Sequence, residues 1–109
     1  MSRFSFQTEL RGALAIVALR GELDVLAVAA LEPELEQLAC EPGIQGVALD
    51  LRALDFLDTN GLRTLVAAGE LLEANGRRLV LVRGPSPVQR VFELTRMSDQ
   101  LEFVNDLPR

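Results

Sequence analysis

The chain has 109 residues, and its 11 basic and 16 acidic side chains give a formal net charge of −5 at pH 7. All basic residues are arginine, and lysine, histidine, tryptophan and tyrosine are absent. These absences exclude Ser-His-Asp and Cys-His catalysis, histidine metal sites and the P-loop lysine, and they argue against base stacking on nucleic acid. The length fits one domain over residues 1–109, with a core that needs neither disulfides nor a metal.

Cysteine content and hydropathy favour a cytoplasmic location. Cys40 is the only cysteine, so no internal disulfide can form. The longest strongly apolar stretch, Ala13 to Leu19, has seven residues, far fewer than the roughly 20 that span a bilayer. The start, Met1 to Phe4, lacks the apolar core of a signal peptide. We therefore expect a cytoplasmic module with no cofactor, no metal and no membrane insertion, which acts by contact with another protein.

The first elements along the chain are two strands and a helix. Alternating apolar residues from Phe4 to Thr8 predict a half-buried strand, Arg11-Gly12 a turn, and the run from Ala13 to Leu19 a second strand, so the pair forms a hairpin. Asp24 is placed to cap a helix start. The apolar stripe of that helix comprises Leu31, Leu35 and Leu38. Pro33 predicts either a kink or a helix that begins near Glu32.

The middle of the chain repeats a strand and helix pattern. Gly46 to Leu51 is typical of a buried central strand, and a loop through residues 55–57 is expected after it. Apolar spacing predicts a helix from Gly61 to Ala74, with a left-handed stop at Asn75-Gly76. Leu79 to Val82 then predicts another strand.

The last part of the chain predicts a third helix and a short strand. Gly84-Pro85 is a turn signal. Ser86, with Pro87 after it and Gln89 three places on, matches a capping box. Residues 101–104 are compatible with a final strand. The full order of elements predicts an α/β fold with a mixed central sheet, in which an opening hairpin is followed by parallel strands and helical crossovers.

The segment from a strand end to a helix start at residues 49–62 is the strongest candidate site, because ligands and partners favour this position in open α/β sheets. Asp58 is expected to cap the helix. Thr59, Asn60 and Gly61 then occupy the first turn, where backbone N–H groups lack helical partners. The simplest interpretation of these residues is a helix cap without further function.

The motifs Gly21-Glu22-Leu23-Asp24, Val47 to Leu51 and Phe56 to Leu62 together resemble the STAS domain of bacterial anti-sigma factor antagonists. The resemblance covers nearly the whole chain and implies a sheet with helices mainly on one side. It also implies that the helix-start loop docks onto an anti-sigma factor with serine/threonine kinase activity. In this family the kinase phosphorylates a hydroxyl in the loop, and the antagonist is released.

The chain departs from the family at the phosphorylation site. The usual loop has Ser or Thr immediately before glycine, and here that position is Asn60, which cannot be phosphorylated. Thr59 is the remaining hydroxyl in the loop and is the candidate acceptor. Two outcomes stay open: control by phosphorylation of Thr59, or constitutive binding. The predicted partner-binding residues are Asp24, Asp58, Thr59, Asn60, Gly61, Leu62 and Arg63.

Two other functions remain open. A STAS-like subunit of a membrane lipid transporter is the main alternative, because the loop in such subunits often carries no phosphate acceptor. A small enzyme is the second, with Asp50, Asp55 and Asp58 as a carboxylate cluster for metal binding or acid–base chemistry. The sequence around these carboxylates lacks the rest of such a site.

Overall fold

A computed structural model of the protein describes residues 3–108. These residues form a five-stranded mixed sheet and three α-helices. The elements are β1 Ser5–Arg11, β2 Leu14–Leu23, α1 Val25–Cys40, β3 Gly46–Leu57, α2 Thr59–Ala74, β4 Arg78–Val82, α3 Ser86–Leu94 and β5 Phe103–Val104. The strands lie in the order in which they occur in the chain. The first pair is antiparallel and the other three are parallel, which confirms the predicted α/β fold class.

The opening hairpin is confirmed. β1 pairs with β2 from Ser5 opposite Arg20 to Arg11 opposite Leu14. The connection has two residues, of which Gly12 takes a positive φ of 60°, and glycine at this position is typical of a tight hairpin turn. β2 then continues to Leu23, four residues beyond the predicted end.

The predicted loop at residues 55–57 is wrong, because β3 continues to Leu57. The extended end of β2 provides the hydrogen-bonding partner, and the register reaches Leu23 opposite Leu57 after two irregularities in β2. Leu54 and Leu57 are buried, whereas Asp55 is exposed. Asp55 is therefore compatible with a strand, because its charged side chain faces solvent. β3 leads directly to the start of α2.

α1 begins at Val25, so the alternative start near Glu32 is wrong. Pro33 lies inside a continuous helix. The Asp24 cap and the buried residues Ala27 and Leu31 stabilise the first turns on the N-terminal side of the proline. α2 begins at Thr59, directly after the predicted Asp58 cap, and it ends at Ala74 before Gly76, which has a φ of 74°.

The predicted capping box of α3 is wrong. Ser86 is the first helical residue, Pro85 occupies the cap position, and no side-chain cap hydrogen bond is present at this helix start. Gln89 instead accepts a hydrogen bond from the Gly84 backbone N–H, at 2.9 Å from its Oε1. Gln89 therefore stabilises the turn that precedes the helix. Beyond α3, a short 3₁₀ helix at Met97–Gln100 precedes β5, which is shorter than the predicted strand.

The main core lies between the helices and one face of the sheet. Its strand residues include Val17, Leu49 and Leu81, and Phe92 of α3 packs edge-on against Phe103 at a ring separation of 5.0 Å. The other sheet face carries a smaller cluster of Ile16, Ala48 and Val80, against which Leu107 and Leu14 pack. No helix among residues 3–108 is long and apolar enough to cross a membrane.

Candidate functional site at two helix starts

The starts of α1 and α2 lie side by side at one edge of the sheet. Leu23 and Leu57 are the last paired residues of β2 and β3, and each is followed at once by an aspartate. The backbone N–H of Asp58 donates to the carbonyl oxygen of Leu23 at 3.4 Å, which links the two strand ends. The parallel pairing of β2 and β3 therefore brings two helix N-termini together.

Both aspartates act as helix caps, as predicted. Asp24 Oδ1 accepts hydrogen bonds from the backbone N–H groups of Leu26 at 3.1 Å and Ala27 at 3.0 Å. Asp58 Oδ1 accepts from the Gly61 N–H at 2.9 Å. These bonds satisfy backbone donors that have no partner within the helix. The primary role that the geometry gives each carboxylate is to fix the direction of its helix.

Gly61 allows α2 to approach β2 closely. A Cβ atom at this position would lie 2.4 Å from the carbonyl oxygen of Leu23 and 2.8 Å from Leu57 Cδ1. Any side chain would therefore have to push the helix start away from the strand. Thr64, one turn further along, donates its hydroxyl hydrogen to the Asn60 carbonyl at 3.0 Å, so the first turn is held from both sides.

The predicted partner-binding residues divide into exposed and buried groups. Thr59, Asn60 and Arg63 are exposed, and Asp24 and Asp58 are partly buried. Gly61 and Leu62 are buried, and the Leu62 side chain is only 2% exposed. Because both residues face the core, they form the packed layer beneath the exposed residues.

Three apolar residues that the sequence analysis missed flank this group. Val25 is 60% exposed, Leu26 80% and Phe56 47%. Val25 and Leu26 form the first turn of α1, and Phe56 lies on β3 opposite Glu22 of β2. For Val25 and Leu26 the sequence contained a signal of exposure, because they directly follow the Asp24 cap and precede the buried stripe of the helix. We call the exposed set Val25, Leu26, Phe56, Thr59, Asn60 and Arg63 the helix-start surface.

Two of the three carboxylates of the enzyme hypothesis, Asp50 and Asp58, have other partners, and Asp55 is exposed. The Arg52 guanidinium donates to both Asp50 oxygens at 2.9 Å. Partial burial raises the pKa of Asp50, but the hydrogen bonds and charge of Arg52 outweigh this effect and hold the pKa below its usual value. Asp58 is engaged as a cap. Across residues 3–108 no group of three or more His, Cys, Asp or Glu side chains is arranged to hold a metal ion.

Comparison with known proteins identifies the class that this fold and site define. The family model for the STAS domain matches residues 5–108. An anti-sigma-B factor antagonist of Staphylococcus aureus is 30% identical over 90 residues, which cover 83% of this chain and 82% of the relative. The corresponding Listeria monocytogenes protein is 31% identical over 85 residues, covering 78% of this chain and 74% of the relative.

Solved structures agree with this assignment at the level of the fold. The crystal structure of an anti-sigma factor antagonist from Mycobacterium paratuberculosis has a TM-score of 0.86 at 23% identity, covering 96% of this chain and 88% of that chain. Unphosphorylated SpoIIAA, also an anti-sigma factor antagonist, has a TM-score of 0.78 at 22% identity, covering 92% and 88%. The chain belongs to the STAS domain family, among the anti-sigma factor antagonists, which are regulatory binding proteins and not enzymes.

Proposed function

We propose that this protein binds an anti-sigma factor of the serine/threonine kinase type through the helix-start surface, in the cytoplasm. The observation that carries the proposal is the exposure of Val25, Leu26 and Phe56 beside Thr59 and Asn60. Large exposed apolar side chains at the start of a helix and at the end of the neighbouring strand are compatible with a protein contact. The relatives and the family membership support an anti-sigma factor as the partner.

The polarity of the helix-start surface suits a partner with an apolar contact region. Although the chain carries a net charge of −5, the carboxylates of Asp24 and Asp58 are occupied by backbone N–H groups. Arg63 is the one cation of this surface. Apolar side chains at the centre of an interface contribute most of its binding energy, and paired charges at the rim contribute less.

A phosphate at residue 59 would oppose this contact. Phosphorylation adds a charge of about −1.5 to −2, which would have to be desolvated within the contact if the complex formed. The same phosphate is compatible with the folded protein, because a helix N-terminus attracts anions. Thr59 is exposed at the first position of α2, so a kinase can reach its hydroxyl without unfolding the helix.

A binding experiment tests the proposed partner. The protein is mixed with purified kinase-type anti-sigma factors from the same bacterium, with ADP or ATP, and complex formation is measured by isothermal titration calorimetry. We expect at least one complex in the presence of ADP. Failure to bind any of them would contradict the proposal, and co-purification with a membrane permease and its ATPase would favour the transporter alternative.

Intact mass spectrometry after incubation with the kinase and ATP distinguishes the two forms of control. If the protein gains one phosphate, and the Thr59→Val variant gains none, control acts at Thr59. If the mass stays unchanged and the complex persists with ATP, binding is constitutive. Asn60→Ser is the matched control, because it restores a hydroxyl immediately before Gly61 and tests whether the kinase can modify this loop at all.

A further inference from the structure

The outer edge of β1 is a long free strand edge. β1 has seven residues from Ser5 to Arg11, and among residues 3–108 its sole pairing partner is β2. It pairs with β2 without a register shift and contains no proline. Proteins commonly protect such edges with bulges, prolines or charged side chains; β1 has no bulge, proline or lysine, and its charged residues are Glu9 and Arg11, which pair with each other. Its N–H and C=O groups are therefore available to another strand.

The hairpin turn determines which backbone groups point outward. The two-residue turn closes on Arg11 opposite Leu14, which makes this a hydrogen-bonded pair, and such pairs alternate along an antiparallel ladder. Glu9, Gln7 and Ser5 consequently bond to β2. The alternate residues Phe6, Thr8 and Leu10 direct their backbone N–H and C=O groups to the open edge.

We propose that this edge pairs with β1 of a second copy of the chain, antiparallel and centred on Thr8. In this register Thr8 lies opposite its own copy, and Phe6 lies opposite Leu10, so the outward backbone groups of all three residues are paired. The full seven-residue strand is used. Registers shifted by two residues pair only five residues and place either Gln7 or Glu9 opposite its own copy.

The side chains of β1 fit this two-fold arrangement. Leu10 is 60% exposed, and the pairing places it against Phe6, which is partly buried beside the core. On the other face Glu9 lies opposite Gln7 and Arg11 opposite Ser5, so no like charges are directly opposed. Within each copy Arg11 already pairs with Glu9 at 2.6 Å. Thr8 also donates its hydroxyl to Glu34 of α1, so this register brings the two Glu34 carboxylates towards the two-fold axis. The pairing therefore rests on the backbone hydrogen bonds and on the contact between Phe6 and Leu10, which the strand offers to a second copy of itself.

Sedimentation equilibrium across a wide concentration range tests the pairing. We expect a reversible dimer for the parent chain and a shift to monomer in Leu10→Arg, because this change puts a charge against Phe6 of the other copy. Leu94→Arg is the matched control, since Leu94 is 77% exposed and lies on α3, and it should leave the dimer intact. A parent chain that is monomeric up to its solubility limit, or a dimer that survives Leu10→Arg, would overturn the proposal.

Disulfide trapping tests the register independently. Cys40 is exposed, so it is first replaced by serine. In that background we expect Thr8→Cys to form a covalent dimer under mild oxidation, because paired residues place their Cα atoms within disulfide range. Arg11→Cys should not, because Ser5 is its opposite residue. Equal trapping of the two variants, or trapping of neither, would show that the strands do not pair about Thr8.

Discussion

The two ends of the parallel strands differ in how their exposed groups are used. At the carboxyl end, the helix-start surface presents Leu26 and Phe56 to solvent. At the amino end, a surface cavity of about 500 Å³ lies between α2, β4 and the segment before β5. Most of its charged groups have partners within the chain: Arg78 pairs with Glu102, and the two terminal nitrogens of Arg77 donate to the carbonyls of Asn75 and Glu41, although the buried Arg77 Nε has no partner among residues 3–108.

This difference shows why the volume of a depression is a poor guide to function here. Polar groups that are already paired offer little net gain to a ligand, since new hydrogen bonds would only replace existing ones. Exposed apolar side chains gain free energy whenever a partner removes them from water. We therefore expect the partner to bind at the carboxyl end, and four changes test this contrast.

Gly61→Ala should have the largest effect. The added Cβ would lie 2.4 Å from the Leu23 carbonyl oxygen, and such overpacking against backbone costs about 1–3 kcal/mol. We expect a lower free energy of unfolding in urea titrations and weaker partner binding, because the start of α2 is displaced.

Gly69→Ala is the matched control in the same helix. There the new Cβ would meet flexible side-chain ends, Leu79 Cδ2 at 3.4 Å and Leu101 Cδ2 at 3.5 Å. Alanine also favours helix over glycine by up to about 1 kcal/mol, so this variant should be neutral or more stable. If Gly61→Ala is as stable as Gly69→Ala, the tight contact between α2 and β2 is not what positions the site.

The double substitution Leu26→Ser and Phe56→Ser should weaken binding to the anti-sigma factor by at least about tenfold, or about 1.4 kcal/mol. The free energy of unfolding should change less, because Leu26 is 80% and Phe56 47% exposed in the free protein. Calorimetric titration and urea unfolding measure the two quantities. Leu94→Ser is the control for loss of an exposed leucine elsewhere, and equal loss of affinity in that variant would refute a specific role for the helix-start surface.

Asp58→Ala should lower the free energy of unfolding by about 1 kcal/mol, since it removes an N-cap that accepts a hydrogen bond from Gly61. Asp58→Asn retains an acceptor oxygen and should restore most of this stability, as thermal unfolding will show. If Asn and Ala are equally destabilising, then the charge of Asp58, rather than its cap hydrogen bond, stabilises the start of α2.

Local patterns in the sequence were sufficient for the order of elements and for both caps. Asp24 and Asp58 cap the helices that follow them, and Gly76 adopts the left-handed conformation expected at a helix end. These features depend on a few neighbouring residues, so a single sequence contains the information. The STAS resemblance added the expectation that the helices pack mainly on one side of the sheet, where the main core lies.

The parts that could not be predicted depend on contacts between distant residues. β3 extends to Leu57 because the last residues of β2 pair with it. This pairing contains two register shifts, which no local sequence pattern reveals. The exposure of Val25, Leu26 and Phe56 was not predicted either, since it depends on which distant residues pack against each side chain. Ser86 had all the signals of a cap, but Pro85 takes that position and Gln89 bonds to Gly84 instead.

Arg78→Gln, at the amino end, should have the smallest effect. The hydrogen bond and charge of Arg78 hold the pKa of Glu102 below its usual value. A carboxylate with a lowered pKa in the folded state stabilises the protein fully above its unfolded pKa, and this contribution disappears as the pH falls through the lowered value. Both side chains are largely solvent-exposed, so the contribution is small and is weakened by salt. We therefore expect parent and variant to differ slightly in thermal stability at neutral pH and low salt, to converge in acid or high salt, and to bind the partner equally. A marked loss of partner binding in Arg78→Gln would mean that the paired charges of the amino end belong to the interface, and the contrast between the two ends would fail.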